Sequence, residues 1–268
     1  MDELRGDRAV WTFDGEAVSI RFHTGTFKNA MLKELGRCTV PVAAVSSVDF
    51  HLSDSKRKRW ALRLRMHDRT DPYTAVGAML TEKSQPFYLV GRADSELIAE
   101  NLADQIRFAA GRAAEERAQS AQPAQAGPGQ AEPAGSAAPG PHLARRLVPP
   151  LPLHIQTSEG TAAFDGSAVR LIWSGGMTSS HKKKTQRRVF ALADITDVEW
   201  VPATDSGNGH LRINTTEEDA PEVTKPKHDL SCLLCGEGEE NARALMMAAT
   251  VTAHLWTRDQ GTTGQLES

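Results

Sequence analysis

Cysteine is scarce here. Three residues in 268 make an odd number that builds no disulfide framework. Tyrosine is scarcer, with two residues, and aromatics together make up 6%. No apolar stretch approaches the roughly 18 residues that a membrane-spanning helix needs. The opening residues, Met1-Asp2-Glu3-Leu4-Arg5-Gly6-Asp7-Arg8, are charged and lack the apolar core of a signal peptide. Neither charge dominates: Lys+Arg 31 against Asp+Glu 34 leaves a formal net charge of −3. These absences exclude a disulfide-stapled scaffold, a helical membrane span and a globally basic nucleic-acid coat. They give the expectation of a reduced, cytoplasmic protein. Catalytic signatures are missing as well. No G-x-S-x-G, no H-E-x-x-H and no Gly-rich phosphate loop opening a helix occurs, and the nine histidines are scattered. The expectation is a chain that is not an enzyme and takes no cofactor and no metal.

What is present is enough apolar material for cores: hydrophobic residues are 40% and charged residues 24%. At roughly 150 residues per domain the length suggests about two domains. Between Gly111 and Pro152 lies the plainest feature, an Ala/Pro/Gly-rich stretch holding eight of the 14 prolines. From Ala118 to His142 it has no Val, Ile, Leu, Phe or Trp. With nothing to bury against its ordering entropy, it is expected to be a disordered linker over 112–152. The tail 259–268 is expected to be disordered too.

The flanking segments repeat each other in order. Phe13-Asp14-Gly15 matches Phe164-Asp165-Gly166, Val45-Ser46-Ser47-Val48-Asp49-Phe50 matches Ile195-Thr196-Asp197-Val198-Glu199-Trp200, and Leu62-Arg63-Leu64 matches Leu211-Arg212-Ile213. Near-constant spacing across three separate matches indicates a tandem duplication, with repeats at 5–111 and 153–258. Each repeat opens with a strand, an Asp-Gly pair and a second strand, the pattern of a hairpin with a type I′ turn. Val18, Ile20 and Phe22 alternate inward, as do Val169, Leu171 and Trp173. So do Trp60, Leu62, Leu64 and Met66, which leaves Arg59, Arg63 and Arg65 to water. Each repeat closes with an amphipathic helix. The apolar stripe is Ile98, Leu102, Ile106 and Ala109 in the first, with Gly111 as the stop. In the second it is Ala242, Leu245, Met246, Ala249, Ala253 and Trp256. The fold class is α+β: two tandem pleckstrin-homology-like domains, each an antiparallel half-barrel of about seven strands closed by one C-terminal helix. A half-barrel of another strand order stays open on periodicity alone.

Three runs carry a resemblance: Trp11-Thr12-Phe13-Asp14-Gly15-Glu16-Ala17-Val18, then Thr39-Val40-Pro41-Val42-Ala43-Ala44-Val45, then Pro86-Phe87-Tyr88-Leu89. They are similar to domain of unknown function number 4429, a family typical of actinobacteria that often occurs as two copies. The resemblance spans roughly 5–110 and 153–257. The second copy departs at its start, where Ala162 stands in place of Trp11. The resemblance implies a pleckstrin-homology-like fold and brings no activity and no catalytic residues.

Few residues are left that carry chemistry. The run His181-Lys182-Lys183-Lys184-Thr185-Gln186-Arg187-Arg188 reads as a basic loop between two strands. Lys182, Lys183, Lys184, Arg187 and Arg188 are therefore candidate anion-binding residues, with Lys56, Arg57, Lys58 and Arg59 as lesser ones. Each cation beside an anionic bilayer is worth about 1 kcal/mol, so one loop is a weak anchor. Neither run interleaves aromatics with its cations, so nucleic acid is not expected. Cys232-Leu233-Leu234-Cys235 sits in an apolar strand, where residues three apart point to opposite faces. It is read as packing. Asp14 and Asp165 are read as turn residues, and the five tryptophans as core. The function expected is that of a non-enzymatic cytoplasmic interaction or scaffold protein with two tethered binding modules. The alternative is peripheral binding to anionic phospholipid at the inner membrane surface through the loop 182–188.

Overall fold

The structure, a computed structural model, describes residues 3–23, 29–53, 59–77, 80–81, 84–120, 140–205, 207–216 and 225–263. In the first repeat, β1 (Glu3–Arg5), β2 (Ala9–Phe13), β3 (Ala17–Phe22) and β4 (Arg37–Pro41) form a four-stranded antiparallel sheet in that order, with α1 (Ala30–Leu35) between β3 and β4. A three-stranded sheet follows, of β5 (Val45–Ser53), β6 (Arg59–Met66) and β7 (Tyr88–Arg92), with α2 (Pro72–Val76) between β6 and β7. Then comes α3 (Glu96–Ser120).

After α4 (Gly140–Ala144) the strands of the second repeat follow in the same order, with no counterpart of α2 among the described residues. One sheet is β8 (Leu153–Gln156), β9 (Thr161–Phe164), β10 (Ala168–Ile172) and β11 (Arg187–Ala191), with α5 (Ser180–Thr185) before β11. The other is β12 (Ile195–Val201), β13 (Gly209–Thr215) and β14 (Cys232–Cys235), closed by α6 (Glu239–Thr263). Seven strands in sheets of four and three, then one long helix, thus occur twice.

Alternation builds the sheets. Val18, Ile20 and Phe22 of β3 are buried while Ser19 and Arg21 are not. On β6, Trp60, Leu62 and Leu64 are buried between exposed or half-exposed arginines. Trp60 is fully covered, and its Nε1 donates to the Arg92 carbonyl at 2.8 Å. Gly91 lies opposite it on β7, where a Cβ would meet the indole at 2.0 Å.

Both Asp-Gly hairpins form, but positive φ is confined to Gly15 (98°) and Gly166 (97°). A type I′ turn needs it at both central residues. Instead the aspartates hold the turns. Asp14 Oδ1 accepts from the N–H groups of Glu16 (2.9 Å) and Ala17 (2.7 Å). Asp165 Oδ1 accepts from those of Ser167 (2.8 Å) and Ala168 (3.0 Å).

The linker is shorter than its composition suggests. Gly111 does not stop α3, which continues to Ser120 through Arg-Ala-Ala-Glu-Glu-Arg-Ala, all good helix formers. At the far end Leu143, Ala144, Leu147 and Val148 are buried. The Leu147 carbonyl accepts from Tyr73 Oη at 3.1 Å and from Cys38 Sγ at 3.7 Å. The expected disorder therefore fails at 112–120 and 140–152, and its remainder, 121–139, lies outside the described residues. At the end of the chain α6 runs through 259–263, within the expected tail, and 264–268 lies outside the described residues.

The two closing helices have different neighbours. On α3 the buried positions are Ala99, Leu102, Ala103, Ile106 and Ala110, turned slightly from the expected stripe, so Ile98 is 46% exposed. Helix α3 packs on β5, β6 and the 3-10 turn Val42–Ala44. The matching positions of α6 are Ala242, Leu245, Met246, Ala249 and Ala253, also buried. Yet α6 buries its opposite face too: Ala244, Met247, Ala248, Val251 and Leu255. It packs on the sheets of its own repeat and on α1, α2 and α4. A helix apolar all round must be covered all round. One continuous buried cluster consequently joins both repeats and Leu147.

Candidate functional site

The basic run of the second repeat is a helix, not a loop. Ser179 caps α5 by accepting the Lys182 N–H, and Gln186 ends it with φ 64° and an N–H bond to the Lys182 carbonyl. This places Lys182 inward and fully buried. Its Nζ donates to Glu159 Oε1 (3.0 Å) and Oε2 (2.9 Å), and to the carbonyls of Pro226 (3.0 Å) and Cys232 (2.9 Å). It also lies 5.7 Å from the Trp173 ring centroid. Glu159, equally buried, accepts the Leu234 N–H at 2.7 Å. A buried ion pair is tolerable only with its remaining hydrogen-bonding capacity satisfied, as here. Lys182 is therefore not an anion-binding residue, because its charge is spent on Glu159 inside the fold.

The other candidates separate. Lys183, Lys184 and Arg187 are exposed. Arg188 is half-buried, with its guanidinium 4.8 Å from the Phe190 ring centroid and Nη1 bonded to Ser231 Oγ at 3.2 Å. Lys56, Arg57 and Lys58 lie outside the described residues. Arg59 is on β6, paired with Asp7.

Two exposed cations escaped the sequence reading, Lys225 and Lys227. The bond from Lys182 to the Pro226 carbonyl brings them beside α5, a juxtaposition no local spacing announces. His228 and Lys227 share a cleft of about 450 Å³ with Ser180, Asn208 and Met177. Val189 (55% exposed) and Ile172 (42%) stand on the neighbouring outer face of the sheet. The site is thus a basic face with scattered apolar contacts.

The same place in the first repeat has different chemistry. There α1 carries Met31 and Leu32, both buried, where α5 has His181 and Lys182. Helix α6 lies against it. Lys33 Nζ bonds Glu239 at 2.7 Å, and Arg243 bonds Glu34 at 3.1 and 3.2 Å. In repeat one this face receives a helix; in repeat two its described surroundings leave it open.

The remaining candidates are structural. Burial pushes the thiols of Cys38, Cys232 and Cys235 up to about 12, far from a thiolate at neutral pH. Cys232 Sγ contacts Arg212 Nε (3.1 Å) and Asp229 (3.3 Å), whereas Cys235 Sγ faces Asn241 (3.9 Å). Among the described residues no His/Cys/Asp/Glu group could hold a metal. The turn hydrogen bonds hold the carboxyls of Asp14 and Asp165 below the usual range. Four tryptophans, Trp11, Trp60, Trp173 and Trp200, are buried as core, and Trp256 is partly buried against it.

The architecture is that of a duplicated α+β unit with antiparallel sheets. The family profile for domain of unknown function DUF4429 matches residues 11–107 and 162–252. These two regions cover well over half of the chain, which belongs to that family. No curated protein matches it. Among the described residues no helix is long and apolar enough to cross a membrane.

Proposed function

We propose that the chain is a non-enzymatic cytoplasmic interaction protein of two pleckstrin-homology-like repeats, and that the α5 face of the second binds an acidic protein segment. Sheets of four and three strands closed by a helix, found in both repeats, support the fold reading. The site reading rests on one observation. The face that takes α6 in the first repeat is exposed in the second and carries Lys183, Lys184, Arg187, Lys225 and Lys227. A helix seated on a complementary face is an established mode of recognition, and the first repeat supplies the geometry.

The alternative, peripheral binding to anionic phospholipid, draws on the same cations with exposed Met177 and Val189 beside them. One experiment separates the two. The full chain is titrated with a helical Glu/Ala peptide and, in parallel, sedimented with phosphatidylserine vesicles. Salt-sensitive peptide binding, lost in the Lys183→Glu/Lys184→Glu variant, is expected. Vesicle binding alone, lost in the same variant, would transfer the face to lipid, and binding to neither would remove both.

A further inference from the structure

We infer that the α5 face of one molecule takes helix α3 of a second copy, reproducing between chains the contact that α6 makes with α1 within one. This rests on the reading of the α5 face as a protein-binding surface and names its partner. Two positional matches carry the argument. Helices α1 and α5 begin at side-chain caps, Asn29 and Ser179, and end at positive φ, Gly36 and Gln186. Lys33 and Glu34 therefore correspond to Lys183 and Lys184. Helices α3 and α6 share the buried positions named above, so Glu239 and Arg243 correspond to Glu96 and Glu100.

Within the chain the docking ion pairs are Lys33 with Glu239 and Glu34 with Arg243. The corresponding pairs between chains are Lys183 with Glu96 and Lys184 with Glu100. The first keeps its signs. The second replaces an acid–base pair by a base–acid pair, so both partners change and the attraction survives. None of Glu96, Glu100, Lys183 and Lys184 makes an ion pair among the described residues. The outer face of α3 is also the uncovered one. Phe108, 70% exposed, stands at the place of buried Val251, and Leu97, about three turns earlier on the helix, is 78% exposed.

The partner helix is more polar than α6, with Asn101 and Gln105 where α6 has Ala244 and Ala248. Association is therefore weak and salt-dependent. The contact is heterologous. A bound pair keeps one free α3 on one copy and one free α5 face on the other, so copies add head to tail or close a ring.

Sedimentation velocity of the full chain across a concentration range tests this, at low salt and at about 0.5 M salt, where the Debye length falls to a few ångströms. The weight-average mass is expected to rise with concentration at low salt only. Glu100→Lys or Lys184→Glu alone should weaken association about tenfold. Combining both in one chain should restore it. These side chains are exposed, so thermal midpoints should stay at the parent value. A chain that stays monomeric yet binds the Glu/Ala peptide overturns this inference and leaves the function reading standing. Loss of both overturns both. Association insensitive to the reversals, or not restored by their combination, overturns the pairing.

Discussion

Replacing Lys182 by methionine keeps the apolar stem beside Trp173 and removes the ammonium. The three protons of the Nζ face the Glu159 carboxylate and two backbone carbonyls, four oxygens at 2.9–3.0 Å, in a site with no exposure. Without it Glu159 keeps the Leu234 N–H, and the Pro226 carbonyl loses this donor. Breaking a buried pair by removing one partner costs about 3–5 kcal/mol, because the other charge is left uncompensated. For two repeats that unfold as one body that is a fall of roughly 10 °C in thermal midpoint. The assay is denaturant unfolding of the parent, Lys182→Met, Lys183→Met and the Lys182→Met/Glu159→Gln double variant. Lys183→Met, on the outer face, should stay within about 0.5 kcal/mol of the parent. The double variant should recover about 1–3 kcal/mol relative to Lys182→Met, since the amide still accepts from Leu234 and no charge is stranded. A Lys182→Met variant as stable as the parent, with its binding of acidic peptide reduced, would refute the reasoning and return Lys182 to the ligand-facing set.

Other consequences are open to direct measurement. Gly91→Ala forces a methyl into the Trp60 ring and should cost about 1–3 kcal/mol, read by denaturant unfolding, as overpacking does. The three thiols, each pushed up to about 12 by burial, should resist a thiol reagent at pH 8 in the native chain and all react in denaturant. His254 is lowered to about 4, first by burial and then by Arg145. The unfolded imidazole binds its proton near 6.5, so this contribution to stability is full above pH 6.5 and lost as pH falls toward 4. His254→Leu should flatten the stability profile in that window.

Much of the architecture was legible in the sequence for physical reasons. Alternation at Val18, Ile20 and Phe22, and the Asp-Gly pairs, are local signals of strand and hairpin. The duplication showed because the same turns and core positions recur in order. Helix extents were harder. Gly111 reads as a stop, yet the Ala/Glu/Arg run after it carries α3 onward to Ser120. Leu143, Leu147 and Val148 look like incidental apolar residues in a proline-rich stretch, and only the space beside α6 makes them core. The basic run was visible, but its division was not. One turn of helix sends Lys182 into the fold toward Glu159, 23 residues away, and leaves Lys183 and Lys184 outside. The contribution of Lys225 and Lys227 depends on that same buried bond. The second buried face of α6, Ala244, Met247, Ala248, Val251 and Leu255, was missed, because one apolar stripe already accounts for an amphipathic helix and what covers the other face depends on where the first repeat sits.

The central claim is that the repeats form one body, clamped by α6 between its own sheets and α1, α2 and α4. Small-angle X-ray scattering at high salt measures it most directly, on the parent and on Met247→Asp, which gives α6 the residue that α3 carries at that position. The parent should have a radius of gyration near 18 Å, the value for about 270 compact residues, and the variant should expand into two lobes. A parent already two-lobed, with a profile unchanged by the substitution, would contradict the account.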